Sequence, residues 1–248
     1  MLRTSNPTLT DKIFRSAGVA GTQTESMTIS GTINKTLLLL VLTIVSAGWI
    51  WAKVMADTTA SFQGWMLGGA LGGFAVAMII SFKREWAGYL APAYALLEGL
   101  FLGAISAFFE AMYPGIVLRA VMLTLSVMLV MLTAYRSGWI KVTEKFRSIL
   151  FTATAGIALA YFATWILGMF GVHFDAMYDS SPLGIGISLV VVAVAALNLL
   201  LDFDFIEKGS AANLPKHMEW YAAFGLMVTL VWLYIEMLRL LSRFASKD

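Results

Sequence analysis

The chain has 248 residues, of which 59% are hydrophobic and only 13% charged, and its mean hydropathy is +0.80. A soluble domain carries about 25% charged residues to cover its surface, so lipid must supply much of this chain's outer surface. A net charge of +2 offers no electrostatic footprint for a nucleic acid, and the lack of cysteine excludes disulfides, thiolate catalysis and Cys-based zinc sites.

Residues 1–34 are polar and include Arg3, Lys12 and Arg15. They lack the apolar stretch and small-residue cleavage site of a signal peptide, and read as a mobile cytoplasmic tail ahead of a membrane domain at 35–248. A helix needs about 20 apolar residues to cross the hydrocarbon core. Seven stretches meet that requirement, at 36–55, 64–82, 88–111, 116–135, 149–171, 182–201 and 219–241. Tyr113, Pro114 and Gly115 form a tight turn between the third and fourth. Ser180 and Ser181 ahead of Pro182 form a helix cap with proline in the first turn. Trp49, Trp51, Trp65, Trp86, Trp139 and Trp220 fall near span ends, as an interfacial aromatic belt does. The expected fold is all-α, a polytopic seven-helix membrane bundle.

Lys and Arg in short loops set orientation. Lys35, Lys83, Arg84, Arg136, Lys141, Lys145, Arg147, Lys208 and Lys216 fall with the N-terminal tail on one side, while the opposite loops carry no Lys or Arg. The N-terminus is therefore expected in the cytoplasm, in a multi-pass inner-membrane protein. Arg243 and Lys247 then lie outside, which leaves two readings of the last segment: a full span, which is favoured, or a re-entrant hairpin.

An ionisable residue at membrane depth is costly unless paired and marks a functional candidate. Glu98 falls near the middle of the third span, with no evident partner on its own helix. It either pairs with another helix or stays protonated, as proton-linked group or as packing glue. Asn198 and Asp202 are four residues apart and share a helix face, which is expected to point inward. Asp204, turned by about 200° at 100° per residue, and Glu207 are expected nearer cytoplasmic water. Glu236 has Arg239 three residues on, a plain i,i+3 pair. Glycines at 68, 69, 72 and 73, at 99 and 103, and at 184 and 186 with Ser188 suit close helix approach.

Enzymatic chemistry finds little support. His173 and His217 lie in loops, no H-E-x-x-H occurs, phosphate-binding glycine loops are missing, and the final span has no lysine for a retinal Schiff base. No cofactor is expected.

The order of features resembles the Bax inhibitor-1 (transmembrane Bax inhibitor motif) family, in its bacterial YccA-like branch, over roughly residues 34–244. The run from Ala91 to Gly103 around Glu98-Gly99 is similar to the family's Glu-Gly helix. The exit of the sixth span, Leu201 to Ile206, matches where the family keeps a membrane aspartate. Glu219-Trp220-Tyr221 and Leu238 to Leu241 resemble the start and end of its last helix. The resemblance implies a last helix surrounded by the other six, and a pH-sensitive calcium leak controlled by two hydrogen-bonded aspartates. The first carries over to Asp202, with Asp204 as the alternative register. The second does not carry over: Thr229 stands in its place, and a threonine can hydrogen-bond a carboxyl group but cannot titrate.

Two functions are expected from this pattern. One is a pH-sensitive cation leak with calcium as permeant ion, linked to Asp202, Asp204, Glu98, Glu236, Asn198 and Thr229, with Asp202 the candidate calcium-linked ligand because calcium takes oxygen donors. The other is a non-conducting regulator of membrane-protein quality-control proteolysis or stress response. Its partners, beyond the lipid bilayer, would be other membrane proteins such as a membrane protease, docked through the tail at residues 6–9.

Overall fold

A computed structural model of the chain describes residues 26–56, 62–171 and 179–246. The expected tail up to residue 25, with its docking segment, and the loops at 57–61 and 172–178 lie outside the described residues. Seven helices long and apolar enough to cross a membrane are present among the described residues. They are α1 (Ile29–Ala56), α2 (Phe62–Phe82), α3 (Ala87–Met112), α4 (Ile116–Arg136), α5 (Glu144–Met169), α6 (Pro182–Ala211) and α7 (Met218–Ala245).

Several helices run past the expected spans. Helix α1 starts at Ile29 rather than 36, and α6 continues through Asp202, Asp204 and Glu207 to Ala211 rather than stopping at 201. At 1.5 Å per residue, the 30 residues of α6 span roughly 45 Å, more than the hydrocarbon thickness, so its polar end stays helical beyond the apolar run. Hydrophobicity marks where lipid ends; hydrogen bonding decides where the helix ends. The start of α6 is capped as its sequence predicts, with Gly184 N–H donating to the Ser181 hydroxyl at 3.0 Å. Between α3 and α4 the turn is made by Gly115, at φ +82°. Glu110 reaches across it to accept from Gly115 N–H (2.6 Å) and Val117 N–H (3.1 Å), which satisfies the free amides at the start of α4.

Helix α7 is the axis of the bundle. It packs against α1, α3, α4 and α6, and its side chains enter both hydrophobic clusters. The resemblance implies six surrounding helices; among the described residues four pack along α7, and α5 meets it through Tyr161. Helix α2 packs on α3 and helix α5 on α6, each from outside. The ring is tightest where α1 crosses α3. A Cβ on Gly99 would lie 2.6 Å from the Thr43 carbonyl oxygen, and one on Gly103 would lie 2.8 Å from the Ala47 Cα. On the outer side of α3, a Cβ on Gly69 of α2 would meet the Leu97 carbonyl oxygen at 2.7 Å. The glycine pattern therefore marks two real close approaches, although Gly68 and Gly186 face open space. Helices α1 and α4 stand apart, leaving an apolar crevice of about 360 Å³ lined by Thr43, Gly48, Val121 and Tyr234 among others.

Helix α7 runs unbroken beside α6, and its far end meets the first turn of that helix: Arg243 is buried and donates to the Gly184 carbonyl, and the Ser246 and Ser180 hydroxyls are hydrogen-bonded. The last segment is thus a full helix and not a re-entrant hairpin. Arg243 is held inside the protein, so it does not act as a free loop charge of the kind the orientation rule counts.

At the other end, α7 begins with the fully buried Glu219. Its Oε1 accepts from both the N–H and the hydroxyl of Thr28, each at 2.8 Å, and the carboxylate pairs with Lys35 of α1 and with Lys216 at 3.3 Å. Met27 N–H donates to the Leu214 carbonyl at 2.7 Å, and Ser26 pairs with Pro215. The residues just before α1 are therefore strapped onto the α6–α7 connection.

Two stability predictions follow from this packing. Gly103→Ala is expected to cost about 1–3 kcal/mol by overpacking against backbone, while Gly68→Ala leaves thermal unfolding in detergent unchanged; equal midpoints for the two would contradict the α1–α3 contact. Glu219→Gln is expected to destabilise by about 1–3 kcal/mol through lost charge-assisted hydrogen bonds and to speed tryptic cleavage after Lys35. Unaltered cleavage would mean that the strap is not held by this carboxylate.

Candidate functional site

Among the described residues most polar side chains inside the bundle are partnered. Asn198 of α6 donates from Nδ2 to the Thr154 hydroxyl of α5 at 2.9 Å and to the Val194 carbonyl at 2.8 Å. It turns to α5 and does not bond to Asp202, although the two share one side of the helix. Glu236 is buried and accepts from the Tyr161 hydroxyl at 3.1 and 3.2 Å and from Arg239 at 3.2 Å. The expected pair with Arg239 is present, and α5 adds a phenol to it.

Asp204 departs from expectation. It is 5% exposed, paired with Arg147 of α5 and, at 3.0 Å, with Lys208 one turn on. The 200° turn between Asp202 and Asp204 is real, but α6 is covered on both sides, by α7 on one and by α5 on the other. Both aspartates therefore face protein. Glu207 is the solvated one, exposed and bonded to the Tyr135 hydroxyl.

Glu98 also differs from its reading as a residue without a partner on its own helix. Tyr94, one turn earlier on α3, supplies a hydroxyl to its carboxyl group. The Tyr94 ring is in turn packed edge-on against Phe224 of α7, with centroids 4.9 Å apart. The carboxyl points to α2, where a Cβ on Gly73 would come within 3.0 Å of Oε2. Glu98 belongs to the α2–α3 contact.

Asp202 is the exception. Its Oδ2 is buried and is the one buried side-chain nitrogen or oxygen without a hydrogen-bond partner among the described residues. Its carboxyl group faces α7 at Gly225, where a Cβ would lie 4.0 Å from Oδ1, and at Thr229, the polar side chain opposite it. Thr229 is itself 9% exposed, and its hydroxyl donates back to the Gly225 carbonyl at 3.3 Å. The structure thus brings Asp202 and Thr229 together at the α6–α7 contact. Glu236 lies seven residues beyond Thr229, about 10 Å along α7, and is committed to its own partners. Among the described residues no three His, Asp or Glu side chains group as metal ligands do.

The sequence pattern does not single out Glu219 as a buried hub. Its signal is an acidic residue in the first turn of a helix, which most often means only a favourable end charge. What gives it weight is Thr28 and Lys35, more than 180 residues away in the chain.

The comparisons agree with this architecture. No curated protein sequence matches the chain closely enough to count as a relative. A family model described as Bax inhibitor 1 like matches residues 6–246, which is nearly the whole chain and all seven helices. The chain belongs to the Bax inhibitor 1 like family of multi-pass membrane proteins.

Proposed function

We propose that this chain is a pH-sensitive cation leak with calcium as the permeant ion, and that Asp202 is its titrating group. The reading rests on one observation, the buried and unpartnered Oδ2 of Asp202 at the contact between α6 and the axial helix α7. The other intramembrane carboxylates named above have donors from the chain, so a change of charge state has most consequence at Asp202. As a neutral acid, Asp202 can donate a hydrogen bond to the Thr229 hydroxyl and leave α7 seated. As a carboxylate it has no cation paired with it among the described residues, and an unpaired buried charge is costly. It must draw a cation or water into the contact, which separates α6 from α7.

Thr229 makes this a latch with one titrating side. A threonine can accept or donate a hydrogen bond but does not bind a second proton, so the site changes charge in a single step. Calcium prefers several oxygen ligands; one carboxylate with a hydroxyl suits passage better than storage. The loop charges support a cytoplasmic N-terminus; on that reading Asp202, nine residues before the close of α6, lies nearer the cytoplasmic end.

Calcium entry into liposomes holding the purified chain is expected to rise from pH 6 to pH 8. The Asp202→Asn variant, which keeps the neutral state, is expected to give low flux without pH dependence. A variant that retains the native pH profile would remove Asp202 from the mechanism. Flux no greater than in empty liposomes at every pH would favour the non-conducting regulator, with the tail at residues 1–25 as the first place to seek a partner.

A further inference from the structure

Helix α5 is attached to the bundle differently from the other helices. Only Leu150 along its length is fully buried, while Phe151, Leu159, Phe162, Trp165 and Met169 face outward. Its side-chain hydrogen bonds and ion pair to α6 and α7 are evenly spaced. Arg147 pairs with Asp204, Thr154 accepts from Asn198 at 2.9 Å, and Tyr161 donates to Glu236 at 3.1 Å. These three residues are seven apart, so they form one stripe along one face of the helix. Three polar residues of α6 and α7 therefore each meet α5.

Each of those residues also has a second partner on its own helix. Asp204 has Lys208 at 3.0 Å, Asn198 has the Val194 carbonyl at 2.8 Å, and Glu236 has Arg239 at 3.2 Å. If α5 moves away, none of the three is left without a partner. On the α5 side, Arg147 retains Glu144 at 3.3 Å, and Thr154 and Tyr161 are ordinary residues for a helix in lipid. The apolar surface uncovered by the movement meets hydrocarbon, and lipid tails solvate it about as well as another helix does. Both positions of α5 are thus satisfied, and the seam between them is a set of exchangeable hydrogen bonds. Such a pair of arrangements is what a conformational switch requires.

The geometry points to α5 as a docked side helix that swings away from α6 and α7 as a unit, with Arg147, Thr154 and Tyr161 setting its closed position. This inference does not depend on the leak reading, because it concerns where α5 sits and not what crosses the membrane.

The chain has no cysteine, so spin labels can be placed at introduced ones without other changes. One pair, Leu159→Cys on α5 with Leu118→Cys on α4, reads the position of α5; both residues are exposed. A control pair, Val45→Cys on α1 with Leu118→Cys, reads the ring. In lipid nanodiscs the native seam is expected to give one narrow distance for each pair. The triple variant Arg147→Met, Thr154→Val, Tyr161→Phe changes only α5 and leaves every residue of α6 and α7 its own-helix partner. It is expected to broaden the α5 distance and add a longer component, with the control pair unchanged. The milder Thr154→Val, Tyr161→Phe variant, which removes two hydroxyls and little volume, is expected to show the same change to a smaller degree. An α5 distance unaltered in both variants would overturn the inference, because apolar packing would then be what holds the helix. Equal broadening of the control pair would overturn it as well, since the bundle would be loosening throughout.

Discussion

A carboxylate taken out of water has to be met by cations or donors held in place, and Glu219 meets that demand where three parts of the molecule converge. The residues ahead of α1 give it an amide and a hydroxyl, α1 itself gives it Lys35, and the α6–α7 connection gives it Lys216. The first turn of α7 is thereby fixed relative to α1. Arg243, closing on the Gly184 carbonyl, does the same at the other end against α6. An axial helix tied at both ends by buried charge cannot slide by a turn without orphaning one of them. The packing between the ends, through Met227, Leu233 and Leu238, has its register set by those ties.

Around that axis the two outlying helices illustrate the two ways that helices associate in lipid, by close approach of small residues and by polar contacts. Helix α2 uses the first, with Gly69 seated on the α3 backbone. Helix α5 uses the second. Close approach forfeits many contacts at once when it opens, whereas a few hydrogen bonds with substitutes nearby can be exchanged. The difference gives the bundle a rigid side, α1 with α3 and α2, and a side that has alternatives.

Much of this was legible in the sequence. Seven apolar stretches, the Ser181 cap, the Gly115 turn and the Gly99/Gly103 face are local properties, and periodicity or turn chemistry carries them. The apposition of Asp202 with a threonine on the last helix was also legible, through the resemblance and the spacing back from Arg239. What sequence could not supply was the second neighbour of a helix. Helix geometry alone sends Asp204 to water, because it gives the protein one side of a helix; nothing in the chain says that α6 is covered twice. The stripe of Arg147, Thr154 and Tyr161 has a seven-residue period that can be read from the sequence. It stayed hidden because Arg147 was counted with the loop charges, and a threonine and a tyrosine in a membrane helix attract no notice until their partners are known.

The central position of α7 carries a consequence for biogenesis. It is the last of the seven helices to leave the ribosome, so its cradle of α1, α3, α4 and α6 is synthesised before its occupant. Until α7 arrives, the Asp202 carboxyl has neither Gly225 nor Thr229 across from it. The crevice between α1 and α4 is where the finished ring remains least closed. A nascent chain stalled before α7 therefore leaves open an acid that the complete protein covers.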